Sequence, residues 1–256
     1  MSKIRHTPRA ATTLVRLPPG SGVDAHVHDD HQIVYAGRGV LQITTEAGTW
    51  IAPGTRALWI PAGVVHEHRA YGETDLHTVG VPTTENPSLP VAPAVLAVSP
   101  LLRELILACT RNEFADDAER LRLHSVLLDQ LRRTSQQPIR LPTPKDPRLA
   151  EVCALLDEDP ADQRTLTSLG AQVGASERTL SRLFRAEMRM TFPQWRTQLR
   201  LCHALRLLAE GEAVTSVAHR TGWSSASAFI EVFRRTFGHT PGKPPTGSID
   251  PPDVGQ

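Results

Sequence analysis

The chain has 256 residues, 40% of them hydrophobic and 21% charged, and its 28 lysines and arginines against 27 aspartates and glutamates leave a formal net charge of +1. That length can bury two modest cores, and near-neutrality by itself points to neither a nucleic acid nor a membrane surface. No apolar run approaches the roughly 20 residues a bilayer-spanning helix needs, and the start lacks an apolar signal core, so a cytoplasmic protein without membrane association is expected.

Short apolar runs at 32–35, 39–45 and 57–60 are punctuated by Gly and Pro every few residues, which predicts a compact antiparallel β-barrel or sandwich over 1–98. His26, His28, His31, His66, His68 and His77 lie in or beside these runs. His26 and His28 are one residue apart, so on a strand they share a face, and imidazoles so placed can share a metal. Gly22 before them, Gln32 after them, and the later run from Gly54 through Pro61, Ala62 and Gly63 to His66 resemble the two cupin motifs. The resemblance implies a cupin-like sensor in which His26, His28 and His66 take the three histidine ligand positions. Gln32 stands where many cupins carry glutamate. A neutral amide is the weaker ligand, so a divalent ion (Zn, Ni, Fe or Mn) would sit on three neutral imidazoles without local charge compensation. A metal-binding pocket and a metal-free pocket both fit these residues. His31, His68 and His77 are expected on the surface or on strand faces, not among the ligands.

Leu101, Leu102, Leu105 and Ile106 stripe one helix over 100–112, and Leu121, Leu123, Leu127, Leu128 and Leu131 another over 116–133. Together they predict a helical connector over 99–137, whose apolar faces must be covered by the barrel, by each other or by a second chain. Residues 138–147 hold four prolines, which predicts an extended, semi-rigid linker with no core of its own and places the domain boundary there. Cys109, Cys153 and Cys202 are odd in number and widely spaced, so each is read as a buried small hydrophobe.

Beyond the linker the period changes. Leu166, Leu169 and Val173 predict a short helix, and a turn at Val173, Gly174 and Ala175 leads to a second one capped by Ser176. On that second helix Arg178, Arg182, Arg185 and Arg189 recur on one side, with Leu180, Leu183, Phe184 and Met188 on the other. Phe192, Trp195, Leu199, Cys202, Leu205 and Leu208 then mark one long helix ending near Gly211, in which Phe192 and Trp195 are core residues. The pattern of the first unit repeats: Leu166 to Leu169 is echoed by Val214 to Val217, Gly174 by Gly222, and the apolar stripe by Phe229, Val232 and Phe233. Two helix-turn-helix units on a rigid spacer suit successive major grooves on one face of a duplex. Local charge agrees, since residues 164–243 hold twelve Lys or Arg against five Asp or Glu.

Residues 165–243 resemble the DNA-binding domain of the AraC/XylS family of bacterial transcription regulators. The likeness rests on the run Arg178 to Phe184, on Trp195, Arg196, Leu199, Arg200 and Leu201, and on Ala204, Leu205, Leu207 and Leu208. It continues in Ala218, Gly222, Trp223, Ser225, Ser227, Phe229, Phe233, Arg234, Phe237, Gly238, Thr240 and Pro241. It implies DNA contacts from Arg178, Ser181, Arg182 and Arg185 in the first unit and from Ser225, Ser227, Glu231, Arg234 and Arg235 in the second. Arginine suits base reading because its planar fork donates two hydrogen bonds to guanine. Ala226, Ser227, Ile230 and Glu231 make the outward start of the second helix poorer in positive charge, so the first unit is expected to read bases and the second to position the protein. For Glu231, acceptance from a cytosine amino group and an ion pair with a neighbouring arginine both stand. Gly242, Lys243, Pro244 and Pro245 replace the aromatic-basic ending usual in the family.

The sequence thus predicts an α+β two-domain protein: a cupin-like antiparallel β-barrel over 1–98, the connector and linker, an all-α double helix-turn-helix over 148–243, and a disordered tail over 244–256. The expected function is a sequence-specific transcription regulator whose DNA-binding half is controlled by a small molecule or metal in the barrel. Double-stranded DNA, an unknown effector, RNA polymerase and, by the family's use of the connector helices, a second copy of the chain are the expected partners. The alternative is a metal-dependent cupin enzyme, a dioxygenase or isomerase, fused to a DNA-binding module. No acidic fourth ligand or acid–base pair stands in the barrel region, so no catalytic residue is assigned and a non-enzyme is expected.

Overall fold

The computed structural model describes residues 4–85, 89–134, 136–137 (backbone) and 140–242, so the tail over 244–256 lies outside the described residues. The amino-terminal part is one ten-stranded sheet: β1 (Arg5–Thr7), β2 (Thr13–Leu17), β3 (Gly22–His28), β4 (His31–Thr45), β5 (Gly48–Pro53), β6 (Arg56–Ile60), β7 (His66–Val81), β8 (Ala94–Ala97), β9 (Gln136–Gln137) and β10 (Leu141–Pro142). Its spine is the long antiparallel pair β4 and β7, from His31 opposite Val81 to Thr45 opposite His66. β2 and β3 line the far side of β7, and β6 and β5 take successive stretches of β4.

The expected barrel does not close. Among the described residues the main path ends at β1, paired in parallel with β3, and at β9, paired with β8, so the sheet is open and mixed.

Strand alternation assigns the two faces. Val34, Ala36, Leu58 and Ile60 point into the concave core with Leu41, Ile43 and Ala70, whereas Ile33, Tyr35, Trp59 and Val79 point out. The inward residues of β4 are even-numbered up to Ala36 and odd-numbered from Leu41. The register irregularity between Ala36 and Val40, with Gly39 at φ +76°, makes that switch, because one extra residue in a strand reverses its faces.

The outward face is covered twice. At one end lie α1 (Pro100–Arg111) and α2 (Asp117–Arg133), which bury Leu102, Leu105, Ile106, Leu127, Leu128 and Leu131 against Ile33, Tyr35, Trp59 and Val79. Full burial of each such side chain stabilises by about 1.5–3 kcal/mol. The connector's stripes are therefore covered largely within the chain, while Leu101 and Leu121 depart from expectation and stay exposed. His77 Nδ1 meets Thr110 Oγ1 at 2.6 Å beneath α1; the hydroxyl donates to the Ile106 carbonyl and accepts from the ring.

At the other end the helical half docks on the sheet. It comprises α3 (Pro147–Glu158), α4 (Leu166–Gln172), α5 (Glu177–Leu183), α6 (Phe192–Ala209), α7 (Val214–Arg220) and α8 (Ala226–Phe237). Val40, Ile51 and Tyr71 of the sheet share one core with Leu201, Leu205, Phe229, Phe233 and Phe237. Arg206 donates to Gln42 Oε1 at 2.7 Å and lies over the Tyr71 ring, and Arg56 donates to the Thr236 carbonyl. The proline-rich stretch is no free linker: Leu141 and Pro142 pair with β5, and the Lys145 and Asp146 amides donate to Glu187. Leu141 and Pro142 are extended, but Leu141 packs against both helical cores.

Local signals fix the helix starts. Ser99, Asp116, Asp146, Thr165, Ser176, Thr191 and Ser225 each accept an amide hydrogen bond as N-caps. Ser176→Ala is expected to lower stability by about 1 kcal/mol, read by urea unfolding, with Ser176→Asp, which keeps the cap, as the comparison that stays near wild type. The three cysteines are buried and free. Burial pushes the Cys153 and Cys202 thiols up to about 12, which keeps them inert.

Candidate functional site

Two places gather functional side chains. The first is the outer face of the helical half. α4 and α5 meet through Gly174 at φ +66°, and Leu180, Phe184 and Met188 close a core with Leu149, Leu169, Trp195 and Leu199. That leaves Arg178, Arg182, Arg185 and Arg189 exposed. The continuous helix expected through Arg189 changes at Phe184 into a π-helical turn ending at Met188, and Arg189 caps it at φ +56°. Ser181 is half-buried between the arginines.

The second unit is built alike, with α7 and α8 meeting at Gly222, φ +74°. Ser225 spends its hydroxyl as the α8 cap, whereas Ser227, Glu231, Arg234 and Arg235 are exposed. No ion pair among the described residues holds Glu231, so of its two readings the structural pair is not formed.

The local excess of cations sharpens once partners are assigned. Arg164 pairs with Asp162, Arg220 pairs with Glu212, Arg196 donates to the Arg164 carbonyl, Arg200 donates to the Pro160 and Asp162 carbonyls, and Arg206 holds Gln42. Arg178, Arg182, Arg185, Arg189, Arg234 and Arg235 are exposed and in no ion pair among the described residues. All six lie on the second helices of the two units or on the turn that extends the first.

α6 runs through both units, giving Trp195 and Leu199 to the first core and Leu201, Cys202, Ala204 and Leu205 to the second. Its 18 residues make a rod of about 27 Å. A second brace fixes the units to each other: Gln163 donates to the Gly222 carbonyl at 2.8 Å, and a Cβ on Gly222 would meet Ala161 Cα at 2.7 Å.

The second place is a knot of histidines at the end of the sheet. His26 on β3 stands opposite His66 on β7, and one donor atom from each of His26, His28 and His66 lies within 4.8 Å of the others. Each ring is held by its Nδ1: His26 to the Asp24 carbonyl at 2.8 Å, His28 to Asp30 at 2.7 Å and His66 to Val64 at 2.9 Å. A carbonyl can only accept, so each Nδ1 carries a proton, and in the neutral ring that leaves the lone pair on Nε2. The Nε2 atoms of His28 and His66 are buried without a hydrogen-bond partner among the described residues. Burial above all pushes the His66 pKa down to about 3 and lowers those of His26 and His68, with repulsion from the other rings adding to it. Imidazole nitrogens so gathered call for an electron-pair acceptor, and a divalent cation fits that donor set.

Gln32 is buried on the inward face of β4 opposite Ile60, and its Oε1 has no partner among the described residues. His31 has the opposite arrangement from the three ligand candidates. Its Nδ1 accepts from the Ala62 amide at 3.0 Å and its ring lies on Trp59. His77 is buried under α1 and, like His68, is a strand-face residue and no surface one.

His68 was missed as part of the knot. It is 4% exposed, its ring centroid lies 5.2 Å from that of His66 and 5.6 Å from that of His26, and neither ring nitrogen has a partner among the described residues. The same one-residue spacing that united His26 with His28 unites His66 with His68.

Residues 16–128 match the family described as the AraC-like ligand binding domain, and residues 169–243 match a helix-turn-helix domain family. The HTH-type transcriptional regulator NimR of Escherichia coli is 34% identical over 220 residues, covering 85% of this chain and 80% of that protein. RipA of Corynebacterium glutamicum, also an HTH-type transcriptional regulator, is 36% identical over 113 residues, 43% of this chain and 34% of its own. Among solved structures, ToxT from Vibrio cholerae is aligned over 91% of this chain and 96% of its own at 11% identity and a TM-score of 0.39. With both halves matched in order and NimR matched along most of its length, this chain belongs to the AraC family of DNA-binding transcription regulators, with an amino-terminal ligand-binding domain and a carboxy-terminal helix-turn-helix domain.

Proposed function

We propose that this regulator reads duplex DNA with the exposed faces of α5 and α8, and that a divalent cation held by His26, His28 and His66 sets how its two halves engage. The observation that carries the first part is the set of six exposed arginines without ion pairs among the described residues, gathered on those two helices and the adjoining turn. Arg178, Ser181, Arg182 and Arg185 read base edges and nearby phosphates. Ser225, Ser227, Glu231, Arg234 and Arg235 position the second unit, with Glu231 the acceptor for a cytosine amino group and Arg234 and Arg235 on phosphate.

The support for the cation is the three oriented Nε2 lone pairs. A nitrogen-only donor set favours zinc or nickel over magnesium or calcium, with iron and manganese next. The bound ion supplies charge and a fixed geometry, and Gln32 is held in reserve as a weak oxygen donor. A small-molecule effector would act through the same concave face. This reading makes the protein a regulator and not an enzyme, in keeping with the regulators it resembles. It also divides the chain at 138–147 and places it in the cytoplasm; no described helix is long and apolar enough to cross a membrane. RNA polymerase would receive the output, and the exposed Leu101, Leu121 and Val126 offer a second copy its contact.

Arg182→Ala tests the DNA reading. In a competition assay against every single-base variant of a selected site, it is expected to relax preference at one base pair by about 1–3 kcal/mol. Equal weakening on all sequences would reduce Arg182 to a phosphate contact, and no change would remove it from the interface.

A further inference from the structure

We propose that His68 is the fourth imidazole of a nitrogen-only divalent-cation site, in place of the carboxylate that the cupin pattern puts at Gln32. The inference rests on the reading that His26, His28 and His66 hold a cation, and extends it to a residue outside the motif.

β7 places His66 and His68 two residues apart on the inward face, with Thr45 and Ile43 of β4 opposite them in register. His68 is buried at 4% exposure, and both of its ring nitrogens lack hydrogen-bond partners among the described residues. A buried polar group is rarely left so unless something absent from the protein atoms completes it. The other three rings are each locked through Nδ1 to a carbonyl and form the 4.8 Å cluster, whereas His68 has no such bond and its ring centroid lies 5.2 Å from that of His66 and 5.6 Å from that of His26. Four neutral imidazoles bring no negative charge, so the site would select a borderline, nitrogen-loving ion such as Zn²⁺, Co²⁺ or Ni²⁺ and reject Mg²⁺ and Ca²⁺.

The test is titration of the chelator-stripped full chain with Co²⁺, followed in the visible spectrum and by Zn²⁺ displacement. Wild type is expected to bind one ion with a four-nitrogen spectrum. Both His68→Ala and His68→Phe are expected to bind it about 10- to 100-fold more weakly, the loss seen even for outer-shell partners, with a changed band shape. His68→Phe keeps ring volume without a donor, so it separates a lost ligand from a disturbed fold, and His77→Ala should leave the titration unchanged. If His66→Ala abolishes binding while both His68 variants match wild type in affinity and spectrum, the inference is overturned and the three-imidazole reading stands. If wild type binds neither Co²⁺ nor Zn²⁺, that reading falls and takes the inference with it.

Discussion

Replacing Arg178, Arg182 and Arg185 together with alanine is expected to weaken specific DNA binding by roughly 3–6 kcal/mol, from three contacts of about 1–3 kcal/mol each with some loss of additivity. The slope of log affinity against log salt should fall by about 0.9 for each of the three that neutralises a phosphate. None of the three is in an ion pair among the described residues, and each side chain is exposed. The folded state therefore loses no ion pair on their removal, and unfolding free energy should stay within about 0.5 kcal/mol of wild type. That contrast separates them from Arg196, Arg200 and Arg206, which carry the same charge but bond to carbonyls or to Gln42. Alanine at Arg200 should lower stability and affect DNA only through it. Fluorescence titration of a selected duplex at several salt concentrations measures both quantities. If the triple variant kept wild-type affinity and salt slope, α5 would not be a reading helix.

How much of this could be read from the chain alone follows the range of the interactions involved. The helical half announced itself because its punctuation is local: Ser176, Thr191 and Ser225 cap their own amides, and Gly174, Gly211, Gly222 and Gly238 take up positive φ at the ends. The spacing of the histidines likewise needs only the two-residue period of a strand, and the same period applied once more would have included His68. The open sheet and its reversal of faces between Ala36 and Val40 depend on pairing partners tens of residues away. So do the partners of Arg196, Arg200 and Arg206, which is why a count of local charge overstated the cations free to meet DNA. The docking of α6 on β4 and β7 left no local mark at all, since Val40, Ile51 and Tyr71 read as ordinary strand residues.

That docking gives Gly72 an unusual weight. The residue sits at φ +68°, which costs an L-residue about 1–2 kcal/mol, and a Cβ there would lie 2.2 Å from the Ala209 carbonyl oxygen at the end of α6. Backbone cannot yield as a side-chain tip would, so Gly72→Ala is expected to drive α6 off the sheet at a total cost of at least about 2 kcal/mol. Val40, Ile51 and Tyr71 would be uncovered, and the hydrogen bond from Arg206 to Gln42, at 2.7 Å, would open. Hydrogen exchange should rise at Leu141, at Val40 and along Leu201 to Leu205, while the first unit's core around Phe184 and Trp195 stays protected, because its residues come from the helical half and from Leu141 alone. The functional consequence lies in the strand itself. Gln42 faces outward to Arg206, and its neighbour Ile43 faces inward opposite His68, so the docked helix and the histidine knot press on two adjacent residues of β4. Coupling between sites is commonly about 1–3 kcal/mol, or 5- to 150-fold in affinity, and here it has one short path. Whatever change in DNA affinity a cation produces in wild type should be lost in Gly72→Ala, with the arginine-dependent affinity itself retained. A Gly72→Ala protein with wild-type exchange and an undiminished cation effect would show that the two halves communicate by another route.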